Sequence, residues 1–210
     1  MRVTVFGASG ATGRQLVEQA LAQGYDVTPF VRQASKLGIA SKRLTIVEGD
    51  VSDYAAVAKA VHGQDGVLCA LGAATPLRRD PVLIEGIRHL VRAMEQGGVR
   101  RLVYLSFLGV GEGRRQLTAF GRYVVAPLML RNVVADHEVK ERIIRGSTLD
   151  WIVVRPPRLT NGARRGIYRS GIDICATSMI PRISRADLAE FMLGQLSETT
   201  YVRQAPAVMY

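Results

Sequence analysis

The stretch Val3-Thr-Val-Phe-Gly-Ala-Ser-Gly-Ala-Thr-Gly13 decides the fold of this chain. Its first residues belong to a β-branched, apolar run that predicts a strand over residues 2–6, and apolar residues then recur at helical spacing over residues 11–23. The glycines between them follow the spacing G-x-x-G-x-x-G. In such a loop the backbone can approach a pyrophosphate, and the helix N-terminus offers it free N–H groups. The residues expected to form this cradle are Gly7, Ser9, Gly10, Ala11, Thr12 and Gly13.

Strand and helix patterns alternate along the rest of the chain. Strands are predicted at residues 27–31, 44–47, 66–71, 101–105 and 151–155, with a short last one at 205–209. Helices are predicted at 54–61, 84–95, a long stretch ending near 145, and 187–196. This alternation predicts an α/β chain with a doubly wound parallel sheet and helices on both faces, a Rossmann fold. We expect a single domain over residues 1–210, with substrate loops near 73–80, 107–125 and 156–171.

Two local signals refine these predictions. Ser184 stands three residues before Asp187, a spacing typical of a helix N-cap with an acid in the first turn. Pro29 stands inside the second strand, where proline removes a ladder hydrogen bond, so we expect a bulge or the end of the strand there.

The charge of the chain is strongly basic, with a formal net charge of +10. The charge comes almost entirely from arginine, because the lysines are only Lys36, Lys42, Lys59 and Lys140, and the arginines occur as scattered pairs rather than on one helix face. This pattern disfavours nucleic-acid binding and favours attraction of an anionic cofactor and a small-molecule substrate. The sequence does not define an oligomeric state.

No segment reaches the roughly 18 consecutive apolar residues that span a bilayer, and Met1 leads directly into the first strand. We therefore expect a cytoplasmic protein that does not act at a membrane. Cys69 and Cys175 lie in apolar, strand-like surroundings and are expected to be buried reduced thiols. His62 and His89 are interpreted as structural, and no cluster has metal-ligand spacing, so no metal is expected.

The end of the second strand predicts the cofactor. NAD enzymes usually place an acid there, whereas this chain has Arg32, with Ser35 and Lys36 close behind, which favours the 2′-phosphate of NADPH. Two further strand ends, Asp50-Val51 and Leu71-Gly72, continue the expected path of the dinucleotide across the sheet.

These motifs make a family resemblance visible. The chain resembles the atypical short-chain dehydrogenase/reductases with an NmrA-like Rossmann fold, in the branch of biliverdin reductase B and other NADPH-dependent flavin reductases. The resemblance covers nearly the whole length. It rests on residues 6–13, 24–28, 31–32, 35–37, 49–51, 63–65, 71–72, 136–137, 156–157, 187–188 and 191–193.

The resemblance implies residue roles. The glycine loop, Arg32, Ser35, Lys36, Asp50, Val51, Leu71 and Gly72 match cofactor-binding positions. Leu105, Ser106 and His137 match positions on the nicotinamide side. After Pro156-Pro157 this branch carries a histidine in the substrate pocket, and this chain departs from it with Arg158.

The reaction must proceed without the Tyr-x-x-x-Lys pair of ordinary short-chain dehydrogenases, because none of Tyr54, Tyr123 and Tyr168 has a lysine four residues later. Ser106 or His137 could donate a proton instead, and Arg158 is the third candidate catalytic residue. Hydride transfer to a flavin or a similar flat acceptor needs mainly positioning. Side chains that could hold such a ring and its anionic tail are Phe107, Phe120, Tyr123, Arg158 and Arg164. A flavin would be a substrate here rather than a tightly bound cofactor. The alternatives are a non-catalytic NADPH sensor, an NAD(P)-dependent epimerase and a reductase of another small carbonyl compound.

Overall fold

A parallel sheet of six strands forms the centre of the structure, a computed structural model that describes residues 1–72, 80–119 and 131–210. Its strands are β1 (Arg2–Phe6), β2 (Asp26–Val31), β3 (Val47–Glu48), β4 (Gly66–Cys69), β5 (Arg101–Leu105) and β6 (Asp150–Val154). Their spatial order is β3-β2-β1-β4-β5-β6, and every neighbouring pair is parallel. This order confirms the predicted Rossmann fold. The strand order reverses between β1 and β4, which is where ligands bind in such sheets.

Helices cover both faces of the sheet, as the alternation predicted. They are α1 (Ala11–Ala22), α2 (Tyr54–Val61), α3 (Pro81–Gly97), α4 (Arg131–Arg145) and α5 (Arg185–Gly194). The helices α1 and α5 pack together on one face, over a core that includes Val3, Val5 and Leu68. On the other face α2, α3 and α4 cover a core that includes Phe6 and Tyr104. Alternate residues of each strand thus pack into two separate cores, one on each face of the sheet.

Short elements complete the described fold. The strand β7 (Arg158–Thr160) pairs with β9 (Arg182–Ser184), and β8 (Arg169–Gly171) pairs with β10 (Ala207–Met209). Two 3-10 turns lie at Ala34–Lys36 and Gly111–Gln116. The predicted cap of the last helix is confirmed, because the Asp187 backbone N–H donates to Ser184 Oγ at 3.0 Å.

The prediction of a bulge or strand end at Pro29 is wrong. The β1–β2 register runs without interruption through the pair Val5 and Pro29. The neighbours Val27 and Val31 both bond toward the β3 side, where Val27 accepts from Thr45 and Val31 accepts from Gly49. Because backbone groups alternate sides along a strand, the Pro29 nitrogen also faces the β3 side. β3 begins only at Val47, beyond the position opposite Pro29. The proline therefore removes no hydrogen bond from the β1–β2 ladder.

Two other expectations need correction. The strand predicted at 44–47 is shorter, because Leu44 makes only an isolated bridge to Val27 and β3 starts at Val47. Cys69 is buried as expected, and burial raises the pKa of its thiol to about 11. Cys175, in contrast, is exposed, because it lies in a surface loop rather than in a strand.

The described residues were also compared with the requirements of a membrane span and of a metal site. None of their helices is long and apolar enough to cross a membrane. They contain no group of three or more His, Cys, Asp or Glu side chains that could hold a metal ion. Most of the predicted loop at 73–80 and part of the loop at 107–125, with Phe120 and Tyr123, lie outside the described residues.

Candidate functional site

A cleft of about 660 Å³ opens at the carboxyl ends of β1, β2 and β4. We call it the nucleotide cleft. It lies at the reversal of strand order, where a Rossmann sheet binds its ligand. Its walls include Gly7, Ser9, Gly10, Val31, Arg32, Gly49, Asp50, Val51, Ser52, Ala70, Leu71, Gly72, Asp80 and Leu83. The structure therefore brings together eight of the residues that the sequence assigned to the cofactor, namely Gly7, Ser9, Gly10, Arg32, Asp50, Val51, Leu71 and Gly72.

The glycine loop packs too tightly for side chains at two of its positions. Gly7 has φ +78°, and a Cβ there would lie 2.6 Å from the carbonyl oxygen of Ala70. A Cβ on Gly13 would lie 2.1 Å from the carbonyl oxygen of Gly7. Gly13 is thus required for packing of α1 on the loop, whereas Gly10 is exposed and borders the cleft.

The N-terminus of α1 is open to an anion. Its N-cap is Gly10, which has no side chain to cap the helix, and no acidic residue stands in the first turn. The first-turn residues Ala11, Thr12 and Gly13 therefore present backbone N–H groups and the positive end of the helix dipole. This is the arrangement that binds pyrophosphate in dinucleotide-binding folds.

The far end of the cleft carries a cation. Arg32 is exposed directly after β2 and lies near Asp50. Hydrogen bonds from the backbone and hydroxyl of Ser52, with a smaller contribution from the Arg32 charge, lower the pKa of Asp50 against a small opposing effect of burial. Asp50 is therefore a fixed carboxylate, since Ser52 N and Oγ donate to its Oδ1 at 2.9 and 2.7 Å. It can accept a hydrogen bond from an adenine amine.

Ser35 and Lys36 lie in the 3-10 turn beside the cleft rather than among its lining residues. Sequence reasoning missed Arg14, whose guanidinium donates to the Lys36 carbonyl and ties α1 to this turn. The available signal was an arginine directly after the last loop glycine, but its partner is 22 residues away and could not be read from spacing.

A second group of side chains lies beneath the ends of β5 and β6. We call Tyr104, Ser106, His137, Glu141 and Arg155 the buried polar cluster. Ser106 Oγ lies 3.5 Å from His137 Nδ1, so the structure brings the two predicted residues together. Tyr104 Oη lies 3.0 Å from the same nitrogen. Ser106 Oγ donates to Glu141 Oε1 at 2.5 Å.

The charged centre of this cluster was not predicted from the sequence. Arg155 directly follows β6, and Glu141 stands one helical turn after His137 on α4. Arg155 Nε donates to Glu141 Oε1 at 3.1 Å, and only 1% and 4% of the two side chains are exposed. Because Glu141 is an acceptor, it takes the single hydroxyl proton of Ser106. Ser106 can therefore accept further hydrogen bonds through its oxygen, while its own hydroxyl proton points to Glu141.

Electrostatics keep His137 uncharged near neutral pH. Burial, with a smaller effect of the Lys140 cation, lowers the pKa of His137 to about 3. Lys140 itself is 2% exposed, and its burial lowers its pKa against the opposing charges of Asp136, Cys69 and Asp80. His137 is therefore a neutral imidazole, able to donate or accept a hydrogen bond but without an acidic proton.

The remaining predicted residues lie outside the nucleotide cleft and the buried polar cluster. Arg158 is exposed at the start of β7 and belongs to neither the nucleotide cleft nor the buried polar cluster. Arg164 is engaged by Glu190, to which its Nε donates at 2.5 Å. Leu105 ends β5 and is half-buried, and Phe107 is half-buried two residues later.

Comparison with known proteins identifies the family. The family model described as NAD(P)H-binding matches residues 7–199. The chain belongs to the NAD(P)H-binding family. This NAD(P)H-binding protein is 38% identical over 187 residues to a 3-diazoavenalumate denitrifying reductase of Streptomyces, covering 81% of this chain and 60% of that protein. It is 29% identical over 162 residues to the photosystem II assembly factor Ycf39 of Synechocystis, covering 74% of this chain and 44% of that protein. The chain thus spans about half of the length of these relatives.

Solved structures confirm the fold. A short-chain dehydrogenase/reductase of Veillonella parvula, solved in complex with NADP, has a TM-score of 0.83 at 18% identity, over 99% of this chain and 93% of that one. ChuY of Escherichia coli O157:H7, an anaerobillin reductase, has a TM-score of 0.80 at 21% identity, over 99% of this chain and 96% of that one. The chain is therefore a Rossmann-fold member of the NAD(P)H-binding family, as the motifs indicated.

Proposed function

We propose that this protein is an NADPH-dependent reductase that delivers hydride to a flavin or a similar flat conjugated acceptor. One observation carries the proposal. The nucleotide cleft joins an uncapped helix N-terminus at Gly10 to a cation, Arg32, where an NAD enzyme would present an acid. Bound there, the cofactor would supply the hydride.

The residues present fit the phosphates of NADPH. The first turn of α1 would hold the pyrophosphate, and Gly10 leaves the space for it. Arg32 would pair with the 2′-phosphate through a charge-assisted hydrogen bond, with Ser35 and Lys36 close by. Leu71 and Gly72 would border the central part of the cofactor. The NADP complex of the Veillonella structure, which shares the fold, supports this choice of cofactor.

The buried polar cluster supports the proposed class of acceptor. The proton of Ser106 is committed to Glu141, and His137 is neutral, so neither supplies an acidic proton near neutral pH. A flat, electron-poor acceptor needs little more than positioning, because water can supply the proton after hydride transfer. Two similar proteins are reductases by name, one of anaerobillin and one of 3-diazoavenalumate.

The test is NADPH consumption, followed by the absorbance of the reduced nicotinamide, with a panel of acceptors. The panel comprises FMN, riboflavin, a quinone, a bilin and 3-diazoavenalumate. We expect steady turnover with FMN, faster with NADPH than with NADH, and none above background in a folded Gly10→Val variant. If NADPH binds and no acceptor is reduced, the protein is a cofactor sensor and the proposal is wrong. If only a small carbonyl compound is reduced, the proposed acceptor class is wrong.

A further inference from the structure

We propose that Tyr104 is a positioning residue that keeps the proton of the His137 imidazole on Nε2, so that the Nε2–H group is donated to the acceptor during reduction. The part of this inference that concerns the acceptor rests on the proposed function. The part that concerns the proton position does not.

The hydrogen bonds of the cluster determine which nitrogen carries the proton. Tyr104 is fully buried, and a buried phenol needs an acceptor for its O–H. His137 Nδ1, at 3.0 Å, is the acceptor that the described residues provide. Ser106 Oγ lies 3.5 Å from Nδ1, but its hydroxyl already donates its hydrogen bond to Glu141. Nδ1 therefore accepts from Tyr104, and the single proton of a neutral imidazole is left on Nε2.

The charges around the imidazole keep this arrangement stable across the working pH range. The Lys140 cation acts on His137, and the imidazole contacts the Tyr104 phenol. The Cys69 thiol and the Glu141 and Asp136 carboxylates act on Tyr104, Asp136 and Asp80 act on Lys140, and Arg155 pairs with Glu141. Burial raises the pKa of Tyr104 well above its usual value, and burial also lowers the pKa of His137. Phenol and imidazole thus both remain neutral from weakly acidic to weakly basic pH.

The orientation of the ring places the donor outward. Nδ1 is turned inward to Tyr104 and Ser106, while His137 as a whole is half-buried, so Nε2 lies on the other side of the ring from the buried cluster. Negative charge builds up on the acceptor as it takes up hydride. A fixed neutral N–H group stabilises that charge without giving up its proton, and water then protonates the reduced product.

The direct experiment is 15N NMR of histidine-labelled protein, which distinguishes a protonated from an unprotonated ring nitrogen. Between pH 6 and pH 8 we expect His137 to show an unprotonated Nδ1 and a protonated Nε2 with no titration. His89 is an internal control of the opposite kind, because its Nδ1 lies 3.0 Å from the Val51 carbonyl oxygen, which can only accept. His89 should therefore show a protonated Nδ1.

The matched variant is Tyr104→Phe, which keeps the ring and removes only the hydroxyl. We expect the His137 nitrogen signals to move toward a mixture of the two neutral forms, and kcat with FMN to fall several-fold at unchanged NADPH affinity.

His137→Leu should lower kcat by about 10²-fold, the usual effect of losing one such donor, and His137→Gln should recover part of it. A protonated Nδ1 or a charged imidazole in the unmodified protein would overturn the inference, as would unchanged signals in Tyr104→Phe. If no acceptor reacts, the proposed function is wrong, and the NMR spectrum alone decides the position of the proton.

Discussion

Arg155 and Glu141 form a buried ion pair with two hydrogen bonds, at 3.1 Å from Nε to Oε1 and 2.5 Å from Nη2 to Oε2. Ser106 donates to the same carboxylate, so the pair connects the end of β6 through α4 to the residue that follows β5. Moving both charges out of water offsets much of their attraction. The pair therefore adds little to the net free energy of unfolding, but removing one of its members is costly because the other charge stays buried.

Removing one member of the pair should be strongly destabilising. We expect Arg155→Met to lower the free energy of unfolding by about 3–5 kcal/mol, because the Glu141 carboxylate would remain buried without a counter-charge. The double variant Arg155→Met with Glu141→Leu should recover most of that loss. Urea unfolding followed by circular dichroism measures both. A single variant as stable as the unmodified protein, or a double variant no better than the single, would show that the pair is not buried as described.

A side chain at Gly10 should abolish binding of the dinucleotide and preserve the fold. The backbone of Gly10, with φ −75° and ψ 163°, is one that valine adopts, and a Cβ there would lie 3.2 Å from the Gly7 carbonyl oxygen, so only a small local shift is required. Its side chain would occupy the space in front of the α1 N-terminus. Fluorescence titration with NADPH should show no saturation for Gly10→Val. Gly97→Val is the matched control, since the nearest atom to a Cβ there is 4.0 Å away and lies outside the cleft. A folded Gly10→Val protein with normal NADPH affinity would contradict this assignment.

The exposed charge of Arg32 should set the cofactor preference. In Arg32→Glu a guanidinium–phosphate contact becomes a repulsion, while the ribose 2′-hydroxyl of NADH gains an acceptor. We expect NADPH affinity to fall roughly ten- to hundredfold and NADH affinity to hold or rise. Lys59→Glu makes the same charge change on an exposed position of α2 outside the cleft and should leave both affinities unchanged. Equal losses in the two variants would mean that Arg32 acts only through net charge.

The exposed guanidinium of Arg158 gives a prediction about acceptors. If it holds an anionic tail, FMN should be preferred over riboflavin, and Arg158→Ala should reduce that preference roughly tenfold or more without changing NADPH affinity. Arg100→Ala, just before β5 at the amino end of the sheet, is the control. The ratio of kcat/KM for FMN and riboflavin measures the effect. A ratio near one before mutation, or an unmoved ratio afterwards, would make Arg158 a solvated surface charge.

Local sequence signals predicted the first strand, loop and helix, the sheet and the walls of the nucleotide cleft. Gly7, Gly10 and Arg32 could be assigned because each stands at a strand end or helix start, and parallel strands bring those ends together. Ser106 and His137 were paired through the family resemblance, and the structure places them 3.5 Å apart.

The parts that sequence reasoning missed depend on contacts between distant elements. Glu141 and Arg155 look like ordinary helix and strand-end charges, and only the packing of α4 on the sheet buries them together. The Tyr104–His137 contact likewise joins β5 to α4. Pro29 was misjudged because its effect depends on where the neighbouring strand β3 begins, which the sequence of β2 does not contain.

The central claim, that the nucleotide cleft binds NADPH in preference to NADH, is tested most directly by titrating the unmodified protein with each cofactor and following the fluorescence of the reduced nicotinamide. The account predicts saturable binding of NADPH at least tenfold tighter than that of NADH, because a charge-assisted contact to the 2′-phosphate typically contributes more than the roughly 1.4 kcal/mol that tenfold requires. Equal affinities, or tighter binding of NADH, would contradict it.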